Sequence, residues 1–306
     1  MLTAAPPLTS RGPGPRMALR TPDDWVDQPY ARFAINPMTP TIGAEITGID
    51  LTQPLDAALH AELNRALLEW KVIFFRGQHL TGAQQVAFAK NWGPLEAHPF
   101  IKLRTNTQPE DAPEVVRLEK GTNSKGTENI WHSDVTWREC PSLGSVLRAV
   151  ELPAVGGDTL WADMGAAYDC LTEAVKERID GLVAVHDWIN TFGRGMDEAK
   201  RDGLRPDFPP VEHPVVRTHP ETGRKTLYVN AAFTQHIVGL EQAESDHVLG
   251  FLYRQATFPE YQCRFRWNAG DIAFWDNRST QHYAASDYFP NRRVMERITI
   301  AGDRPY

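Results

Sequence analysis

The stretch IAFWDNRSTQHYAASDYFPNRRVMERITI, residues 272–300, holds two runs of strand length, Ile272–Trp275 and Arg293–Ile300, joined by a segment rich in turn-forming Asp, Asn, Ser and Pro. Side chains alternate across a strand, so in the second run Arg293, Met295 and Arg297 share one face while Val294, Glu296, Ile298 and Ile300 share the other. Two arginines aimed at one interior are costly unless they meet an anion, and the guanidinium fork suits bidentate capture of a carboxylate or sulfonate. An exposed edge strand with solvated arginines is the competing reading of the same pattern.

Further short runs bounded by Gly, Pro, Asn or Asp lie upstream at Val115–Leu118, Ser145–Val150, Thr159–Ala162, Leu182–His186, Val215–Thr218, Leu227–Asn230 and Gln262–Trp267. In Asp56–Trp70, Leu59, Leu63, Ala66, Leu67 and Trp70 fall at helical spacing, and Thr81-Gly-Ala-Gln84 is a capping-box pattern opening a second helix that runs through Trp92. Val72–Phe75 between them reads as a buried strand, and further helices are expected at about 163–180 and 241–257. Many short strands, with no G-x-G-x-x-G and no P-loop, point to a β-rich α+β sandwich or jelly-roll barrel surrounded by helices, and away from a nucleotide-binding α/β sheet.

The 306 residues carry 32 Lys+Arg against 39 Asp+Glu, a net charge of −7, which argues against nucleic acid or an anionic membrane as a partner. Hydrophobic residues at 42% and charged residues at 23% are ordinary globular usage. Cys140, Cys170 and Cys263 are an odd count without a C-x-x-C pair, which excludes a disulfide framework and a thiolate zinc site and fits a reducing cytoplasm. No apolar run is long enough to span a membrane, and the N-terminus lacks the basic-then-apolar order of a secretory signal. Residues 1–30, rich in Pro and Gly, are expected to be a flexible tail, with a working start near Met17 as a second possibility; residues 31–306 are expected to form one domain.

The chemistry centres on Trp131-His132-Ser133-Asp134. In an extended segment His132 and Asp134 project to one face, and His282 offers a third ligand far downstream. Two histidines and one carboxylate form the facial triad of non-haem Fe(II) oxygenases, which keeps positions open for a cosubstrate and O2, whereas zinc favours a closed tetrahedron or one open position. An H-x-D pair alone is common as a surface or helix-cap pair.

His132-x-Asp134, Gly156-Gly-Asp-Thr159-Leu-Trp, Trp275-Asp-Asn-Arg-x-Thr-Gln-His282-Tyr and Arg292-Arg293-x-Met-x-Arg297 together resemble the Fe(II)/2-oxoglutarate-dependent dioxygenases of the taurine dioxygenase (TauD/TfdA) family. The resemblance covers roughly residues 38 to 306. It implies a double-stranded β-helix core, with His132, Asp134 and His282 as ligands to Fe(II). It also implies 2-oxoglutarate as cosubstrate, its far carboxylate held by Arg293 and Thr159, and O2 as oxidant. By the same resemblance a small anionic substrate is gripped by His98, Arg297 and the Val135 backbone, with Phe192 and Phe233 as pocket walls. The implied reaction hydroxylates the carbon next to sulfur of a small sulfonate such as taurine, releasing sulfite and an aldehyde.

The chain departs from the taurine-cleaving pattern at Ile101, where that pattern has Tyr, and at Glu128, near its substrate-facing Asn. Glu128 suits an ammonium on the substrate; alternatively the changes mark an alkyl sulfate or an aryloxyalkanoate. Residues 193–212 read as a lid loop. A non-catalytic jelly-roll protein binding metal or an organic acid, and a zinc hydrolase of cupin-like fold, are the readings from other classes; Arg293 counts against the first. Self-association is left open.

The remaining candidates have plainer readings. His186, His213, His219, His236 and His247 lack spaced partners and are expected to be structural or at the surface. Cys140 is expected to be a buried small hydrophobe. Trp131, Trp161 and Trp275 are expected in the core, and Asn277 and Arg278 to support His282 from behind.

Overall fold

The computed structural model describes residues 18–98, 100, 114–122, 124, 126 and 129–306. The chain begins with strands β1 (Ala34–Pro37) and β2 (Ala44–Thr47), helix α1 (Ala57–Trp70), β3 (Val72–Phe75), and α2 (Gly82–Ala89), which tightens into a 3-10 turn over Lys90–Trp92. Then come β4 (Leu95–Glu96), β5 (Val116–Lys120), β6 (Gly144–Glu151), β7 (Thr159–Asp163), α3 (Met164–Asp169), α4 (Glu173–Ile179) and β8 (Val183–His186). After α5 (Glu198–Leu204) follow β9 (Val211–Pro214), β10 (Val216–Thr218), β11 (Lys225–Leu227), β12 (Thr234–Ile237) and α6 (Gln242–Gln255). The chain closes with β13 (Gln262–Phe265), β14 (Ile272–Asp276), β15 (Thr280–Ala284) and β16 (Arg293–Ile300).

The large sheet runs β1-β2-β3-β14-β6-β16-β4, with β5 also paired to β16, and a smaller sheet runs β13-β7-β15. Strand alternation divides the large sheet's side chains between two cores. Ile73, Phe75, Ile272, Phe274, Ile298 and Ile300 face Leu63, Leu67 and Trp70 of α1 and Phe88 of α2. Val72, Phe74, Ala273, Trp275 and Met295 face the smaller sheet's Trp161, Cys263 and Phe265. Phe74 and Phe265 stack at 4.1 Å between ring centres across this interface. The alternation expected for β16 therefore holds, with Val294, Ile298 and Ile300 buried behind it and Glu296 held there by Arg117 at 3.0 Å and by Arg148.

The helix starts follow their caps. Asp56 accepts from the Leu59 N–H at 2.8 Å, and Thr81 and Gln84 form both bonds of the capping box. The helix expected over 163–180 is two helices, because Asp163 caps α3 through the Gly165 and Ala166 N–H groups and the chain turns extended at Thr172 before α4. Several elements carry little apolar signal and were not expected: β1, β2, β4, β9, β12, α5 inside the supposed lid loop, and β15, whose sequence is Thr-Gln-His-Tyr-Ala. Cys140 is exposed, contrary to expectation: it sits in a bend before Pro141 instead of in a packed element.

Residues 18–30 form no helix or strand, yet they are tied to the domain. The Arg20 carbonyl accepts from Lys71 Nζ and from Arg224 Nη1, and the Leu19 carbonyl accepts from Arg224 Nη2 at 2.6 Å. Beneath them Lys71 pairs with the fully buried Asp163 at 3.1 Å, and burial pushes the Lys71 ammonium down to about 8.

His213 is buried and binds the Arg138 carbonyl through Nε2 at 2.9 Å; burial pushes its imidazolium down to about 4. The unfolded chain, with an ordinary histidine value of about 6.5, takes up that proton first, so stability falls as pH drops from about 6.5 toward 4. Thermal melts across this window should show Tm falling with acidification, and His213→Gln should flatten the slope. Equal slopes for the two proteins would remove His213 from the account.

Candidate active site

His132 forms an isolated backbone bridge with His282, donating its N–H to the His282 carbonyl at 3.1 Å and accepting from the His282 N–H at 2.7 Å. That pairing sets the two rings 4.1 Å apart, centre to centre. Asp134 comes from the turn that follows, and its Oδ1 lies 4.0 Å from His132 Nε2 and 3.9 Å from His282 Nε2. These separations are too long for hydrogen bonds, and all three donor atoms lie within 4.8 Å of one another, so the group could hold one metal ion.

The protonation states suit that role. His132 Nδ1 bonds the Ile130 carbonyl at 2.8 Å, which makes Nδ1 the protonated nitrogen and leaves the Nε2 lone pair for a metal. Burial and the neighbouring His132 hold the His282 imidazolium well below its ordinary value, so that ring is neutral as a ligand must be. Burial alone would raise the Asp134 carboxyl, but Arg297, His282, His132 and the Ser145 hydroxyl outweigh it and keep the group ionised.

Asp134 is oriented from behind. Ser145 donates to its Oδ2 at 2.8 Å, Asn277 Nδ2 donates to Ser145 Oγ at 3.3 Å, and Asn277 Oδ1 accepts from the Asp134 N–H at 3.3 Å and from Trp275 Nε1 at 2.8 Å. Asn277 thus supports Asp134 and not His282. Arg278 is elsewhere, bonded to Asp276 and Glu221, because its side chain turns back over the β14–β15 connection. Ser145 was not anticipated, and nothing in a serine at the start of a strand marks it.

Arg293 and Thr159 also come together. Arg293 Nη2 lies 3.5 Å from Thr159 Oγ1, its Nε donates to the Gly157 carbonyl at 3.1 Å, and its guanidinium stands 5.8 Å from the Tyr288 ring centre. Trp267 Nε1 donates to the same Thr159 oxygen at 3.0 Å, leaving the hydroxyl proton available to an incoming acceptor. The Gly-Gly of the motif has a steric reason here: Gly157 has φ 75°, and a Cβ on it would stand 3.0 Å from Arg293 Cδ and Nε.

On the other side of the triad, Arg297 Nη1 donates to Asp134 Oδ1 at 2.7 Å, while its Nε is buried without an acceptor among the described residues. His98 is buried beside it, and burial together with Arg297 pushes its imidazolium down to about 3, leaving it neutral. Val135 takes φ 49°, a left-handed conformation that a β-branched residue rarely adopts, and its N–H has no acceptor among the described residues. Phe192 packs on His98 at 5.2 Å and on Phe233 at 5.9 Å, and Phe100, Trp137 and Trp188 complete an apolar wall. Glu128 and Ile101 lie outside the described residues.

The sequence of residues 34–299 matches the family described as taurine catabolism dioxygenase TauD, TfdA family. The chain belongs to this family. Among its relatives, an alpha-ketoglutarate-dependent sulfate ester dioxygenase of Pseudomonas putida is 40% identical, over 89% of this chain and 90% of the relative. An alpha-ketoglutarate-dependent 2,4-dichlorophenoxyacetate dioxygenase of Cupriavidus pinatubonensis is 35% identical, over 88% and 97%. A crystal structure of a taurine dioxygenase from Burkholderia xenovorans superposes with a TM-score of 0.77 at 38% identity, covering 90% of this chain and 93% of that one. Membership in this 2-oxoglutarate-dependent dioxygenase family implies Fe(II), 2-oxoglutarate and O2 as the working set, and the His132, Asp134 and His282 group fits the metal. No helix among the described residues is long and apolar enough to cross a membrane.

Proposed function

We propose that the protein oxygenates a small organic anion bearing a sulfo head, with a sulfonate such as taurine as the first candidate. The observation that carries this is the buried Arg297 Nε, a charged donor without an acceptor among the described residues, beside a triad that could hold a metal. In this reading the two facing sheets are a double-stranded β-helix, and His132, Asp134 and His282 hold one face of the ion. Arg293 and the Thr159 hydroxyl take the far carboxylate of 2-oxoglutarate. When bound, iron and 2-oxoglutarate supply the oxidant from O2, with succinate and CO2 as by-products.

Arg297, neutral His98 and the Val135 N–H would take the sulfo oxygens, holding the substrate by its head beside the triad, while Phe192 and Phe233 exclude water. Glu128 is proposed to face the other end of the substrate. An alkyl sulfate is the second reading, favoured by the aromatic wall of Phe100, Trp137, Phe192 and Phe233 and by the sulfate ester activity of the Pseudomonas putida relative. An aryloxyalkanoate would place a carboxylate at the same arginine. We read the enzyme as cytoplasmic, acting without a nucleic acid or membrane partner.

The test is succinate release on taurine, hexyl sulfate and an aryloxyacetate after anaerobic loading with Fe(II) and 2-oxoglutarate. Bound iron with no succinate from any sulfonate or sulfate would refute the substrate reading. Asn277→Ala is expected to weaken Co(II) binding by about 10- to 100-fold, as loss of an outer partner to a metal ligand typically does, measured by the absorbance of the bound ion.

A further inference from the structure

Asp134 and Val135 are neighbours in one turn, yet they are held by different side chains. Asp134 is braced by Ser145 from the large sheet and by Asn277 from the turn between β14 and β15. The far side of the turn is held by Thr136, fully buried, whose Oγ1 bonds His186 Nδ1 at 3.0 Å and accepts from Asn230 Nδ2 at 3.0 Å. Asn230 is itself buried, and its Oδ1 accepts from the Ala232 and Phe233 N–H groups at 3.2 and 3.0 Å. One amide therefore ties the residue after Val135 to the backbone of the aromatic wall. Its own N–H is fixed by Thr234 Oγ1 at 3.0 Å, and the Phe233 carbonyl accepts from the Asp187 N–H at 2.8 Å.

A left-handed valine persists only where its surroundings over-determine it. The Arg138 N–H closes the turn onto the Val135 carbonyl at 2.9 Å, and His213 holds the Arg138 carbonyl; the first side chain past Val135 that is tied to another segment is Thr136. We propose that Asn230 and Thr136 are positioning residues that hold the Val135 N–H and Phe233 in one arrangement, setting affinity for the substrate anion independently of the metal. The inference rests on the anion-binding reading of Arg297, His98 and Val135 given above.

Two variants cut the link, and a third serves as the control that keeps it. Thr136→Val keeps the shape and removes the hydroxyl, Thr136→Ser keeps the hydroxyl, and Asn230→Ala removes the hub. In protein loaded with Co(II) and 2-oxoglutarate, titration calorimetry should show hexyl sulfate bound at least tenfold more weakly by Thr136→Val and Asn230→Ala. Co(II) affinity should stay within twofold of wild type, and Thr136→Ser should bind both ligands as wild type does. Equal losses of metal and anion affinity, or an unchanged Thr136→Val, would overturn the proposal.

Amide hydrogen exchange on the same metal-loaded proteins without an anion decides the link by itself. Thr136→Val should speed exchange in residues 231–234 as well as in 134–138; faster exchange confined to 134–138 would break the inferred connection. Wild-type protein that binds neither hexyl sulfate nor taurine would instead refute the substrate reading, with the exchange result still judging the link.

Discussion

Arg297→Ala is expected to cut kcat/KM for the anionic substrate by roughly 100- to 1000-fold while leaving 2-oxoglutarate binding intact. Removing one side of a buried, hydrogen-bonded charge pair typically costs about 2–5 kcal/mol, and 3–4 kcal/mol is a loss of roughly 100- to 1000-fold in kcat/KM. Arg297→Lys should recover little, because an ammonium cannot present the planar fork that donates to Asp134 and to a sulfo oxygen together. Sulfite or sulfate release reports the first effect, and anaerobic titration of 2-oxoglutarate into the metal-loaded variant reports the second. Arg293 lies on the same face of β16 with its own partners, Gly157 and Thr159, so its ligand should remain. Turnover within threefold of wild type would remove Arg297 from the substrate site.

The second large effect is on stability. Asp276 is buried at the end of β14 and accepts from Arg278 Nε at 2.9 Å, from Arg278 Nη2 at 2.7 Å and from His219 Nε2 at 3.0 Å. Burial opposes ionisation of its carboxyl, but Arg278 and His219 outweigh burial and hold it well below the usual carboxylate range. Its stabilising contribution is therefore present above the unfolded value of about 4 and is lost only as pH falls into strongly acidic solution. Asp276→Ala leaves the buried Arg278 with Glu221 alone, and breaking such a pair costs about 3–5 kcal/mol, or roughly 10 °C in Tm for a chain of this size. Asp276→Ala combined with Arg278→Met should regain part of that loss, since no uncompensated charge remains. A single-variant Tm within about 2 °C of wild type would contradict the argument.

Much of the site was legible because its residues obey short-range rules. The two arginines of β16 are four residues apart, and a strand must send them to one side. His132 and Asp134 sit in a pattern recognisable beside the segment ending in His282. What escaped notice depends on contacts between distant segments. Ser145 reaches Asp134 only because the large sheet packs on the smaller one, and Trp267 reaches Thr159 only because β13 pairs with β7; neither residue type signals such a role. β15 carries His282 through a polar run whose burial comes from its neighbours, so hydrophobic periodicity passes over it. Asp134 lies in a turn and not a strand, and a valine gives no hint of a positive φ.

The alternation in β16 also protects the site from misassembly. A slip of one residue against β6 or β5 would send Glu296 toward the triad, where it would stand against Asp134, and would drive Arg293 and Arg297 into the apolar layer of α1 and α2. Correct pairing instead gives Glu296 its two arginines and leaves Arg293 beside Thr159 and Arg297 on Asp134. The charges on the two faces of β16 thus penalise every odd-numbered shift of the strand, so the folding chain can find its alignment before any metal or ligand arrives.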